Sequence, residues 1–310
     1  MPPEEKRPRS VRIEDRLGGL RWPVAKPLGV HPSGEERSRG LGAGLEYADS
    51  REYVPGDDPR QIDWNLSARS GRTFVRLAHP DRGLDAWLVV DLSRSLDWGT
   101  ALCLKREAAA DVVVAASLLL ARRGNRVGAI MFDDRVRQVL PPAAGRRSRA
   151  AVVAAARSEP AASSTEGTAL ANALGFASRL LRRPSLIVVV SDFMAPDGWQ
   201  LPLRSLGRRH ELVAAVISDP REHDFPDIGL VTFEDPESGR QLEVDTRSRA
   251  LRDRFRAAAA ERRTRLQAEF VAARAAAFEI STSEDVLNQL IRVFAQIRAQ
   301  SQARRRTPAP

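Results

Sequence analysis

Asp91-x-Ser93-x-Ser95 groups one carboxylate and two hydroxyls on short side chains within five residues. Oxygen donors of this kind suit a small hard cation, which asks for near-octahedral oxygen coordination. Two more segments carry the same chemistry. Asp192 follows the apolar run from Ser185 to Val190, and Glu166-Gly-Thr168 places a hydroxyl where a helix is expected to begin. Asp91, Ser93, Ser95, Thr168 and Asp192 make a five-residue oxygen shell if the fold gathers them at one edge. The same residues have a reading without an ion, with the two aspartates capping strand ends and the serines bonding loop amides.

The surrounding elements predict such an edge. Apolar runs at Ala86–Val90, Val127–Phe132, Ser185–Val190 and Leu212–Ile217 read as buried strands, and helical spacing covers Lys105–Arg123, Arg146–Arg157, Thr168–Leu181 and Trp199–Arg209. Continuous apolar strands alternating with helices predict an α/β fold, a doubly wound and mostly parallel sheet covered on both faces. Its ligand site belongs at the carboxyl ends of the strands, where Asp91 and Asp192 stand. Val136–Leu140 pairs as a hairpin with the second strand, and Leu230–Glu234 with Gln241–Val244 forms another. A long helix from Arg247 to about Ala277 precedes a strand over Ala277–Ile280. Ser281-Thr-Ser-Glu284 then reads as a capping box before a helix whose apolar face includes Val286, Leu290 and Phe294. Gly40 to Arg82 reads as turns and short strands. The expected organisation is a β-rich segment over 1–84, the α/β domain over 85–245, a helical region completing it over 246–300, and a basic disordered tail over 301–310.

Composition removes several classes of function. The chain has 310 residues, 43% hydrophobic, enough for a sizeable core. Its net charge of +9 invites a nucleic-acid reading, but residues 1–245 hold 35 basic and 34 acidic side chains, whereas 246–310 hold 14 and 6. The excess cation is a property of the carboxyl-terminal segment, which leaves nucleic-acid binding through that segment as a subordinate alternative. The longest apolar stretch, Val112–Ala121, is too short to span a membrane, and the first residues lack the apolar region of a signal peptide, so a cytoplasmic protein without a membrane span is expected. The single Cys103 is expected to be a buried thiol. No Walker motif or GxSxG elbow occurs, and His31, His79, His210 and His223 sit in turn-like or edge contexts without metal-ligand spacing.

In order and context, DxSxS, a Thr before Ala-Leu, and an Asp after an apolar strand resemble the metal-ion-dependent adhesion site of von Willebrand factor A domains. The preceding segment sharpens the resemblance. Tyr53-x-Pro-Gly-Asp57-Asp58-x-Arg60-x-Ile-Asp63-Trp64, followed by Ser67-Ala-Arg69-x-Gly71, is similar to the signature of the domain-of-unknown-function 58 (DUF58) family. Its members resemble von Willebrand A domains and are typically encoded beside MoxR-type AAA+ ATPases. The resemblance implies Mg²⁺, or Mn²⁺ or Ca²⁺ in its place, held by Asp91, Ser93, Ser95, Thr168 and Asp192, with a position open for a partner's carboxylate. It also implies a MoxR-type AAA+ ATPase as protein partner. Asp57, Asp58, Arg60, Asp63, Trp64 and Arg69 are assigned a structural or partner-interface role.

The expected function is therefore a non-enzymatic, metal-dependent protein-interaction module. The enzymatic alternative uses Asp91 as nucleophile in phosphate processing. That chemistry asks for a second acid where Ser93 stands and for a cation facing the phosphate.

Overall fold

The structure, a computed structural model, describes residues 50–55, 57, 59, 62–76, 85–121, 125–158, 169–234 and 241–306. Two compact units are present, with their main boundary in sequence between residues 82 and 83. In the smaller unit, strand β1 (Ser50–Glu52) pairs antiparallel with β2 (Phe74–Arg76), and helix α1 (Trp64–Ser70) lies between them in sequence. Asp63 starts this helix by accepting the Leu66 N–H, and Gly71 ends it in the left-handed conformation that glycine tolerates best. Only turns and short strands were expected here. The helix is a correction, and its signals are the Asp63 cap, the Gly71 stop and the Leu-Ser-Ala run between them.

The larger unit is built on β3 (Asp85–Asp91), β4 (Arg126–Phe132), β5 (Val136–Ala143), β6 (Leu186–Ser191), β7 (Glu211–Ser218) and β10 (Ala276–Ser281). Their order across the sheet is β10-β7-β6-β3-β4-β5, parallel throughout except for β5, which returns antiparallel along β4. The expected doubly wound α/β sheet is thus present. Alternate residues of β3 serve opposite faces. Leu88 and Val90 join the core under helices α2 (Lys105–Ala121), α3 (Arg146–Ala156) and α7 (Val286–Arg306), whereas Trp87 and Val89 face α4 (Ala169–Leu180), α5 (Gln200–Arg209) and α6 (Arg249–Ala272). Strands covered on both sides must be apolar along their whole length, which is why they read as continuous Val, Leu and Ile. Helix α2 is buried almost all round. Between β7 and α6, the separate hairpin of β8 (Leu230–Glu234) and β9 (Gln241–Asp245) forms as expected.

Several boundaries differ from expectation. Helix α6 spans Arg249–Ala272, capped by Ser248, and is turned by Arg274 at φ 56°, so it stops short of Ala277. Helix α7 is capped by Asp285, whose Oδ1 accepts the Asn288 N–H at 2.9 Å, and not by the Ser281/Glu284 box. Gln289 competes for that box by accepting the Ser281 N–H and donating to the Glu284 carbonyl. The same helix continues to Arg306, so residues 301–306 are helical where a disordered tail was expected. Ala, Gln and Arg are strong helix formers and extend it. His210 takes the turn position expected of it as the C-cap of α5 but is buried there, while Cys103 is buried as expected. Among the described residues no helix is long and apolar enough to cross a membrane.

Candidate functional site

The order of the sheet reverses beside β3, with β4 on one side and β6 on the other. At such a switch point the loops after neighbouring strands diverge and leave a crevice. Asp91 ends β3 and Asp192 follows β6, so they flank this crevice.

The loop after β3 is shaped by its own side chains. Asp91 Oδ1 accepts the Ser93 N–H at 2.9 Å, an Asx-type turn that leads into a short 3₁₀ turn over Arg94–Asp97. The hydroxyls of Ser93 and Ser95 lie 3.0 Å apart. On the β6 side, the Ser191 hydroxyl donates to Asp91 Oδ2, and Asp192 Oδ1 accepts the Met194 N–H at 3.0 Å. Phe193, between them, is buried at φ 53° and packs edge-on against Trp199 and Phe270. A side-chain-bearing residue in the left-handed region is strained, and it persists here because the aromatic cluster fixes the ring.

The structure thus brings together Asp91, Ser93, Ser95 and Asp192. Thr168 lies outside the described residues, as do Asp58 and Arg60 of the amino-terminal motif. Within the smaller unit, Asp57 Oδ2 accepts the Val54 N–H and Asp63 caps α1, so both act on backbone amides. Trp64 is 70% exposed there, and Arg69 closes the same helix.

Sequence reasoning missed the buried cation beside the site. Lys105, the first residue of α2, sends its ammonium to Asp192 Oδ2 at 2.7 Å and to Glu222 Oε1 at 2.6 Å, with its side chain 3% exposed. Burial alone would depress this ammonium, but Asp192 and Glu222 outweigh it and lift it above its ordinary value. Burial raises the Glu222 carboxyl against the pull of Lys105. The signal was present in the composition. Lys105 is one of only three lysines among 49 cations, and its ammonium is a compact point charge with three rotatable donors.

Glu222 belongs to a further network. Asp219 accepts from the Thr100 N–H and hydroxyl, from the Thr282 hydroxyl and from the Arg221 N–H. These bonds tie the loop after β3, the end of β7 and the end of β10 into one rim. Although burial opposes it, they hold the Asp219 carboxyl below the ordinary range.

Asp91 behaves in the opposite way. Burial, and then the neighbouring Asp192, push its carboxyl up to about 6, against the bonds from Ser191 and Ser93. Two buried carboxylates that repel one another, with two hydroxyls beside them, are a donor set that fits a hard divalent cation. Each carboxylate oxygen that accepts one bond keeps a lone pair for a second partner. Among the described residues no group of three or more His, Cys, Asp or Glu is arranged as metal ligands.

The crevice opens on both sides. A pocket of about 370 Å³ adjoins Asp91 and Ser93 and reaches Arg106 and Asp111. A wider cleft of about 820 Å³ begins at Asp192 and Glu222 and runs along α6 past His223, Arg262 and Phe270.

Residues 49–265 match the family described as protein of unknown function DUF58. An uncharacterized protein of Mycobacterium tuberculosis H37Rv, Rv1480, is 37% identical over 259 residues, covering 83% of this chain and 81% of its own. The uncharacterized protein Mb1516 of Mycobacterium bovis matches to the same extent, 37% over 259 residues. Among solved structures, the conserved hypothetical protein BatB of Bacteroides thetaiotaomicron aligns over 71% of this chain and 100% of its own, at 14% identity and a TM-score of 0.46. A von Willebrand factor type A protein of Catenulispora acidiphila aligns over 71% and 42%, at 15% identity and a TM-score of 0.36.

Proposed function

The chain belongs to the DUF58 family, and from the chemistry of its sheet edge we propose that it is a non-enzymatic protein-interaction module whose binding depends on a metal ion. The observation that carries this reading is the pairing of buried Asp91 and Asp192 beside Ser93 and Ser95 at the switch point of the sheet. Asp91, Ser93, Ser95 and Asp192 would hold Mg²⁺, with Thr168 completing the shell and Mn²⁺ or Ca²⁺ as substitutes. The ion would supply an open coordination position for an Asp or Glu of the partner. The protein's own residues orient the donors. Ser191 holds Asp91 from the β6 side, and Lys105 holds Asp192.

A MoxR-type AAA+ ATPase is the proposed partner, on the family resemblance of the amino-terminal motif, and a cytoplasmic address belongs to the same proposal. The phosphate-processing alternative needs a cation that faces the substrate. Lys105 is turned to two carboxylates inside the protein, and Arg106, which lines the pocket beside Asp91, is paired with Asp97 at 2.8 Å. The test is capture of the purified ATPase on this protein with Mg²⁺, with chelator, and with Asp91→Ala. Binding lost in the last two arms supports the reading, and binding unchanged in both overturns it.

A further inference from the structure

Lys105 does more than fill a buried position. Its ammonium lies between Asp192, which is at the candidate ion site, and Glu222, which is not, and it sits 5.7 Å from the centre of the Trp98 ring. The Lys105 N–H also bonds the Trp98 carbonyl at 2.9 Å, so the start of α2 is pinned against the loop that carries Ser93 and Ser95. Glu222 is itself fixed, because its Oε2 accepts the Asp219 N–H within a capping box of the short turn Pro220–Glu222. The ammonium therefore cannot swing away without leaving two buried carboxylates unpaired.

The charges follow from these contacts. The Asp219 carboxylate in the same rim is met by its own four donors from Thr100, Thr282 and Arg221, and around the ammonium and the candidate ion position Asp91, Asp192 and Glu222 bring three further negative charges, to which Lys105 returns one positive charge. With the carboxylates ionised, two net negative charges remain, which one divalent ion neutralises. Without Lys105 there would be three. Buried charges of one sign are costly unless matched, so the resident ammonium lets the rim fold before any ion arrives.

We infer that Lys105 is a resident counter-cation that sets the charge the site presents, matching it to a single hard divalent ion and weakening that ion's hold enough for exchange. This rests on the metal reading given above and adds a residue outside the proposed donor set. Charge and position make opposite predictions for a pair of variants. Lys105→Met keeps the length of the side chain and removes the positive charge, so Mg²⁺ should bind about tenfold more tightly. Glu222→Gln keeps the shape, removes a negative charge and leaves Lys105 wholly to Asp192, so Mg²⁺ should bind about tenfold more weakly. A purely positioning role for Lys105 would weaken binding in both.

The experiment is isothermal titration of Mg²⁺ into the full chain, the two variants and Asp91→Ala, with thermal unfolding measured in chelator and in Mg²⁺. Opposite shifts in the two variants support the inference, as does a Lys105→Met protein whose melting temperature falls in chelator and recovers in Mg²⁺ more than the parent's rises. Weakening in both variants, or no change in either, overturns it and leaves the metal reading intact provided the parent binds. A parent that takes up no Mg²⁺ at millimolar concentration overturns the metal reading and this inference together. If Lys105→Met does not fold even with Mg²⁺ present, Lys105→Gln, which also removes the charge but keeps a hydrogen-bond donor for the two carboxylates, takes its place, and tighter Mg²⁺ binding there supports the inference whereas unchanged or weaker binding overturns it.

Discussion

The Ser191 hydroxyl donates to Asp91 Oδ2 at 2.7 Å, joining the ends of β6 and β3 across a separation of 100 residues. The Ser191 Oγ in turn accepts the Phe193 N–H at 3.0 Å, so one hydroxyl serves the buried carboxylate and the strained residue beside it. Ser191→Ala should destabilise the protein by about 1–3 kcal/mol, the cost of leaving a buried acceptor short of a partner. Ser191→Thr retains the hydroxyl and should recover part of that loss. Urea unfolding of the three proteins measures it, and an alanine variant as stable as the parent would show that water replaces the hydroxyl.

The metal-free protein should become less stable as pH rises from about 4 to about 6. Asp91 is lifted from 3.8 to about 6, so the folded chain holds this proton more tightly than the unfolded chain. In that window the native state binds more protons, and stability declines with pH until Asp91 is ionised in both states. Glu222 is also raised and adds in the same direction. The shift of Asp91 corresponds to an upper bound of about 3 kcal/mol. Asp91→Asn removes this titrating charge, so in chelator at pH 7 the variant should be more stable than the parent by about 2 kcal/mol. Below pH 4 the advantage should vanish. An asparagine variant weaker than the parent at pH 7 would mean that Asp91 is solvated better than its burial indicates.

Asp219 should respond to acid in the opposite sense. Its carboxyl is held low by four donors, so its contribution is present above the ordinary carboxylate pKa and is lost as pH falls through the lower, folded value. Asp219→Ala leaves the Thr100 and Thr282 donors without their acceptor and should cost about 3 kcal/mol or more. Asp219→Asn, which keeps one acceptor oxygen, should fall between. Chemical unfolding at pH 7 ranks the three, and equal stability for Ala and Asn would show that the charge, not the bonds, holds the rim.

Much of this was legible in the sequence because the parallel sheet imposes simple rules. Strands buried on both faces must be apolar throughout, so β3, β4, β6 and β7 stood out, and the carboxyl-end rule then put Asp91 and Asp192 on one edge. What could not be read was partnership across long separations. Lys105 lies 87 residues from Asp192 and 117 from Glu222, and helical spacing made it an ordinary helix start. Ser191 read as the end of a strand because nothing local marks it as the partner of Asp91. Helix α1 was missed for a different reason: at seven residues it is shorter than the periodicity that would reveal it, and only its caps betray it.

Gly207 makes a sharper test of packing between α5 and the turn that follows α6. A Cβ there would lie 1.7 Å from the Ala273 carbonyl oxygen and 2.9 Å from its carbon, and both are backbone atoms that no rotamer change can move aside. Phe270 and Ala273 belong to the same core as Leu203 and Leu206 of α5, so the helix cannot shift without opening that core. Gly207→Ala should therefore destabilise by about 3 kcal/mol despite the better helix propensity of alanine. Gly175 in α4 supplies the control. A Cβ there meets only the end of the Arg179 side chain at 3.5 Å, so Gly175→Ala should stabilise by about 0.5–1 kcal/mol. Thermal unfolding of both variants separates the two effects. Loss of stability at 207 with gain at 175 is the expected pattern, and equal gains would mean that α5 sits farther from the Ala273 turn than the close approach requires.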